Sequence, residues 1–261
     1  MARSFWKGAI SFGLVAIPVR MSLATESRTP GFHLLHRKCL TRPKQVLYCP
    51  KDAEYFGLKD TSRGYEYTKD QYVVFEENEF ERIPVKTMHT IDIRGFVEPK
   101  EIDPIYFRGS HYLEPEELGV KPYCLLRDAL VKTKRVAVAK VAFQRREHLC
   151  CLRPLGQILV LHTMYYPDEI VPRDELAPAR PEVTPAEMEL ATKLVSTLAV
   201  GFSPEQYKDE YTETLRKIVE AKVQGQEIEA APAPAEAVVE DLMSALRSSI
   251  EEARRASAAK K

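Results

Sequence analysis

The sequence predicts a mixed β/α protein, a β-rich body of barrel or sandwich type followed by a helical C-terminal third. Three observations carry this. Up to Tyr166, short runs of β-branched and aromatic residues recur between turn residues. Beyond Thr184, capping signals and leucines at helical spacing replace them. Hydrophobic residues make up 44% of the 261, enough to bury one large core or two small ones.

In chain order, Ala9 to Arg20 is apolar with β-branched Ile10, Val15, Ile17 and Val19, and its glycines disfavour helix, so it reads as a buried strand. Phe32 to Tyr48 is basic, with Thr41-Arg42-Pro43-Lys44 as a loop tip between two extended arms. Gly64 to Tyr67 and Gln71 to Phe75 flank Lys69-Asp70 as a tight hairpin. Glu76 to Ile83 reads as a short acidic helix. Thr87 to Val97 alternates as a strand, Met88, Thr90, Asp92 and Arg94 against His89, Ile91, Ile93 and Gly95. After Ile105-Tyr106-Phe107 a loop leads to a helix over about Pro122 to Val131. Arg135 to Phe143 is strand-like, and Leu149 to Leu152 and Ile158 to Tyr166 flank the turn Pro154-Leu155-Gly156-Gln157. Thr184-Pro185-Ala186-Glu187 is a capping box that opens a helix ended by Gly201. Ser203-Pro204-Glu205-Gln206 repeats the signal for a helix to about Val223. An Ala/Pro linker follows from Ala230 to Ala235. Then Val239, Leu242, Met243, Leu246 and Ile250 form one apolar stripe, ahead of a short basic tail containing Arg254, Arg255, Lys260 and Lys261.

Net charge is zero, but it is laid down in blocks. Residues 1–50 and 121–165 each carry an excess of seven basic side chains, and residues 51–120 and 166–261 each an excess of seven acidic ones. Such segregation is the footprint of a polyanion-binding surface, or of blocks that neutralise each other on folding. No apolar run approaches the roughly 20 residues of a membrane span, and Ile10 to Val19 is interrupted by Ser11, Gly13 and Pro18, so neither anchor nor signal peptide is expected. Five cysteines, an odd number at low density, suit a reducing cytoplasm.

No catalytic signature is present: no phosphate-cradling Gly-rich loop, dinucleotide fingerprint, nucleophile elbow or His-Glu-x-x-His. Glu76-Glu77 and Glu116-Glu117 read as solvated faces. His33, His36, Cys39 and Cys49 are the one set with zinc-compatible side chains, but no Cys-x-x-Cys knuckle accompanies them, and no metal or other cofactor is expected. Cys150 and Cys151, adjacent on a strand, point to opposite faces. Two basic sets stand out: Arg37, Lys38, Arg42 and Lys44 around the loop tip, and Lys132, Lys134, Arg135, Lys140, Arg145 and Arg146 across a helix end, a strand and a hairpin. With Lys7 and Arg20 these are the candidate DNA contacts. Neither set has recognition-helix or finger spacing, so backbone binding without sequence readout is expected. On the residues alone, a metal-dependent hydrolase and an adaptor for acidic proteins stay open.

The stretch Trp6-Lys7-Gly8-Ala9-Ile10-Ser11-Phe12-Gly13-Leu14-Val15-Ala16-Ile17-Pro18-Val19 strongly resembles the opening of bacterial Ku proteins. Phe32-His33-x-Leu35-His36, Gly64 to Tyr67 with Tyr72-Val73-Val74, Tyr207 to Tyr211, and IVEAKVQGQEI over Ile218 to Ile228 resemble the same family, collinearly from about Ala2 to Ile228. This resemblance implies a homodimer encircling a double-stranded DNA end, protecting it and recruiting an ATP-dependent end-joining ligase, with no enzymatic activity of its own, in the bacterial cytoplasm at the nucleoid. It implies a β-barrel core over 1–180 with an extended strand bridge inserted at about 28–75, a helical dimerisation arm at 181–229, and a linker, short helix and basic tail at 230–261. Leu242, Met243, Leu246 and Ile250 are the expected partner-docking stripe. The sequence departs from the family in its incomplete cysteine set, which argues against a bridge metal, and in its short lysine content near the end, from which weak tail binding to DNA is expected.

Overall fold

The computed structural model describes residues 4–81, 87, 89–144, 146–173, 176, 181–226 and 242–259. The chain divides into two units, residues 1–27 with 32–172 and residues 28–31 with 173–261. No helix among the described residues is long and apolar enough to cross a membrane.

In the first unit, β1 (Ser4–Phe12) and β2 (Val15–Leu23) form an antiparallel hairpin. The single strand expected over Ala9–Arg20 is thus two. Gly13, at φ 60°, turns the chain beside fully exposed Leu14, and the apolar run was two strand ends read as one. β3 (Leu47–Cys49) pairs with β4 (Glu54–Phe56), and β5 (Arg63–Thr68) with β6 (Gln71–Phe75) through Lys69-Asp70, where Asp70 takes φ 62°. Phe32 to Val46 forms no strand pair. Its turn lies at 36–41, closed by His36 N–H to the Thr41 carbonyl and Leu40 N–H to the His36 carbonyl, upstream of the tip expected at Thr41–Lys44. A short helix, α1 (Glu77–Glu81), leads on to β7 (Thr90–Val97). Met88 lies outside the described residues.

β8 (Phe107–Pro115) occupies what reads in sequence as loop. Arg108-Gly109-Ser110-His111 carries no apolar alternation, so tertiary pairing between two neighbours supplies what local pattern lacks. α2 (Val120–Thr133), β9 (Val136–Phe143), β10 (Arg146–Leu155) and β11 (Ile158–Met164) follow as expected. Seven strands close in the order β1-β2-β8-β11-β10-β9-β7, sealed by a three-pair parallel contact of β7 with β1. Closure leaves no open sheet edge. It needs Gly8, where a Cβ would collide with the His89 carbonyl oxygen, next to the bond from Ala9 N–H to that same oxygen.

Alternation sorts the strands. Ile10, Ile17, Val19, Met21, Ile91, Leu113, Ala137, Ala139, Val141, Cys150, Leu152, Leu159 and Leu161 are buried together inside the barrel, and Tyr123, Leu126 and Leu130 of α2 join them. The Tyr123 hydroxyl donates to the Leu113 carbonyl and accepts from Leu159 N–H, both at 2.6 Å, so it relays between two residues that face each other across β8 and β11. Cys151, Val136 and Met164 form a second cluster with Ile102 and Tyr106, separate from Cys150, as the opposite-face argument requires.

In the second unit, α3 (Pro185–Leu198) begins at the Thr184 capping box, with Glu187 N–H donating to the Thr184 hydroxyl. α4 (Glu210–Val223) begins later than expected: Pro204–Gln206 makes a single 3₁₀ turn, Ser203 makes no capping bond, and Asp209 caps instead by accepting from Thr212 N–H at 2.9 Å. α5 (Leu242–Ala259) packs against α3 and runs past Arg254 and Arg255, placing both on a helix rather than in a tail. The linker at 230–241 and Lys260 and Lys261 lie outside the described residues.

Candidate nucleic-acid interface

The basic residues fall into three environments. Arg37, Lys38, Arg42 and Lys44 are exposed, and none has an ion-pair partner among the described residues. From Phe32 to Lys51 no acidic side chain interrupts them. Positive charge here is therefore uncompensated over a stretch much longer than the Debye length of about 8 Å at physiological salt. Arg20, Lys132 and Lys134 are likewise exposed and without such a partner, and Lys134 sits in the left-handed region (φ 54°) at the end of α2. Arg135 is exposed and donates to the Phe96 carbonyl at 3.3 Å.

Lys7, Lys140 and Arg146 are neutralised locally. Lys7 pairs with Glu116 at 3.1 Å, Lys140 with Glu147 at 3.5 Å, and Arg146 with Glu169 at 2.6 Å. The Arg146 bond helps hold the Glu169 carboxyl below its ordinary range, after the Tyr166 N–H that donates to it. Arg145 lies outside the described residues. The second basic set is not one cluster: Lys132, Lys134 and Arg135 precede β9, Arg146 follows it, and eight residues of strand hold those ends about 25 Å apart. Block counting also hid Lys51, Lys59, Arg63 and Lys69, exposed cations in a segment whose net charge is acidic.

The β3–β4 hairpin buries Leu47, Cys49 and Phe56 only in part, and the β5–β6 hairpin buries nothing. Every residue of β5 and β6 is exposed, including Tyr65, Tyr67, Tyr72, Val73 and Val74. Tyr48 and Tyr55 pack in a tilted arrangement with ring centroids 5.1 Å apart, yet both remain exposed. An isolated two-stranded hairpin is marginal in water, and the β5–β6 hairpin leaves its aromatic and β-branched side chains exposed.

His33, His36, Cys39 and Cys49 do not converge. His36 Nδ1 lies 3.0 Å from Cys39 Sγ, while the Cys49 thiol donates to Asp52 at 3.1 Å. Among the described residues no group of three or more His, Cys, Asp or Glu side chains is placed to hold a metal. Hydrogen bonds from the Thr41 side chain and then from His36 bring the Cys39 thiol down to about 7. In the C-terminal stripe, Ile250 is buried with Ala253, and Met243 and Leu246 are half-buried, on the helix that packs against α3. Leu242 opens that helix.

Comparison with known proteins bears on the same residues. The family model described as the Ku70/Ku80 beta-barrel domain matches residues 11–190. A non-homologous end joining protein Ku from Symbiobacterium thermophilum is 43% identical over 251 residues, covering 95% of this chain and 62% of the relative. Its counterpart from Frankia casuarinae is 43% identical over 256 residues, covering 97% and 64%. That from Solibacter usitatus is 41% identical over 253 residues, covering 97% of this chain and 95% of the relative. The chain thus spans a little under two thirds of the first two relatives and nearly all of the third. Among solved structures, the SPOC domain of human PHD-finger protein 3 aligns at a TM-score of 0.32 and 15% identity, over 62% of this chain and 95% of that one, too weak a likeness to bear on the fold. With a closed barrel in place and relatives matched along almost its whole length, the chain belongs to the Ku family.

Proposed function

We propose that this chain binds the ends of double-stranded DNA without reading sequence, as a homodimer that closes a ring around the duplex, and that it acts by binding rather than by catalysis. The observation that carries the reading is the acid-free stretch Phe32–Lys51, with four exposed cations that have no ion-pair partner among the described residues, followed along the chain by the fully exposed β5–β6 hairpin. Cations without internal partners gain most from phosphate, because releasing counterions from DNA costs them no broken ion pair. The printed name of the relatives, non-homologous end joining protein, supports the same reading.

The second unit supports a partner copy. α3 has no buried residue and α4 only Thr212, while Met188, Val195, Leu198, Phe202 and Tyr211 are exposed. Helices with so little of their own to pack against are stabilised by association. In this reading residues 1–180 are the core with the arm at about 28–75 inserted, 181–229 is the dimerisation region, and the half-buried Met243 and Leu246 help dock an ATP-dependent end-joining ligase. The site would be cytoplasmic and nucleoid-associated.

A gel-shift comparison tests it. Linear duplex with open ends should bind, and a closed circular duplex of equal length should not. Equal loading on both, or a species that binds while remaining one subunit by light scattering, refutes the ring.

A further inference from the structure

The two ends of the barrel differ in chemistry. α2 stops one end with Tyr123, Leu126 and Leu130. At the other, the inward-pointing positions turn polar: Leu113 gives way to His111 on β8, Cys150 to His148 on β10, and Leu161 to Thr163 on β11. These three line a cavity of about 810 Å³, together with the aromatic rings of Phe5 and Phe143 and, at its rim, Arg108. That volume falls within the range of small-molecule sites.

Two ring nitrogens here lack partners among the described residues. His111 Nδ1 and His148 Nε2 are buried without a hydrogen-bond partner there, and His111 is only 7% exposed. Buried polar atoms are nearly always partnered, so two orphan ring nitrogens at one cavity mark hydrogen-bonding positions that a bound group can use. The rings are held in place, His148 stacked on Phe143 at 4.3 Å and His111 against Phe5 at 5.6 Å.

The charges around the cavity select the ligand. Among the described residues, no acidic side chain or thiol lines it. β8 contributes Arg108, whose guanidinium lies over Tyr165 at 5.6 Å and within electrostatic reach of the Glu169 carboxylate, which it helps to keep charged. β10 contributes Arg146, already paired with Glu169, and next to it Glu147, paired with Lys140. β11 contributes His162, which is bonded to Ser110 and Arg153. β1, β2 and β9 present no titratable side chain to it. Burial keeps His111 below its ordinary range, and burial followed by Arg146 does the same to His148. A cation would meet repulsion here and only two ligands. An anion would meet a fixed positive charge and two imidazoles able to take up protons.

We propose that this barrel mouth is a binding site for a phosphate monoester, recognised by Arg108, His111 and His148. The second ionisation of such a group falls near pH 6, in the range where histidine changes charge, so binding and proton uptake are coupled. The flanking Phe5 and Phe143 leave room for an aromatic base on the phosphate. The monoester can come from a free nucleotide or from the 5′-terminal phosphate of a DNA strand. The inference does not rest on the end-binding reading, because a free nucleotide tests it with no DNA present.

Histidine-detected NMR of the full chain, titrated with deoxyadenosine 5′-monophosphate, reads the site directly. The His111 and His148 rings should shift, with affinity at least about tenfold higher near pH 6 than near pH 8. Deoxyadenosine without phosphate should shift neither ring, and Arg108→Gln should weaken binding about tenfold while leaving the melting temperature unchanged. A duplex ending in a 5′-phosphate, compared with one ending in a 5′-hydroxyl, identifies the source: shifts by the phosphorylated duplex alone assign the site to DNA termini. Rings unmoved by both the nucleotide and the phosphorylated duplex, or moved as much by deoxyadenosine, or moved only by zinc, overturn the proposal.

Discussion

Replacing Arg37, Lys38, Arg42 and Lys44 together with glutamine should flatten the salt dependence of DNA binding, and the size of the effect follows from their surroundings. Each is exposed without an ion-pair partner among the described residues, so each can neutralise a phosphate with nothing to break first. A neutralised phosphate contributes about 0.9 to the slope of log affinity against log salt, so four per chain, eight per homodimer, contribute up to about 7. Over a fourfold rise in salt the native dimer should therefore lose up to on the order of ten-thousandfold more affinity than the quadruple variant. The control removes charge as matched pairs: Lys7 with Glu116, Lys140 with Glu147 and Arg146 with Glu169, all changed to glutamine. That variant should keep the native slope. Fluorescence anisotropy on an open-ended duplex across a salt series measures both. A quadruple variant with the native slope, or a paired-charge control that flattens as much, would refute the reasoning.

Three further outcomes are expected. Tyr123→Phe removes the hydroxyl that joins the Leu113 carbonyl to Leu159 N–H and strands two buried backbone groups. A loss of about 2–4 kcal/mol is expected, or roughly 5–15 °C in a calorimetric melt; a change under about 1 °C would show that water replaces the hydroxyl. Cys39, with its thiol brought down to about 7, should react with iodoacetamide at a rate that levels off above about pH 8. Thr41→Val should slow it at neutral pH, while Cys150, buried and pushed well up, should not react in the folded protein; equal labelling of the two would contradict the assignment. His111 and His148 are held neutral by burial, below the unfolded value of about 6.5. The unfolded chain therefore binds more protons than the folded one as pH falls, so their contribution to stability is intact above about pH 6.5 and is lost below it. In denaturant titrations at several pH values, His111→Gln with His148→Gln should weaken that acid-side decline, and an unchanged decline would place its origin elsewhere.

How far the sequence could be read depended on the range of the forces at each element. β9 was legible because Ala137, Ala139 and Val141 alternate with Val136, Val138 and Lys140, and the pleat turns that alternation into an inner and an outer face. The Thr184 capping box was legible because both partners sit three residues apart. The same logic misplaced the start of α4. Ser203 and Asp209 both carry capping chemistry, and which one binds backbone N–H groups depended on the path of the chain between them. β8 was illegible, since its residues from Arg108 to His111 become strand by pairing with β2 and β11 rather than by their own preference.

Local pattern alone set strand β9, the capped start of α3, the opposite faces of Cys150 and Cys151, and the presence of basic segments, because side-chain spacing and turn chemistry act within a few residues. Tertiary structure decided which of those charges stay uncompensated. Lys7 meets Glu116 across β2 and β8, and Arg146 meets Glu169 beyond the end of β11, whereas Arg37 to Lys44 meet no acidic side chain at all among the described residues. Charge can be counted along a chain, but its compensation depends on distance through space, and barrel closure determines that distance.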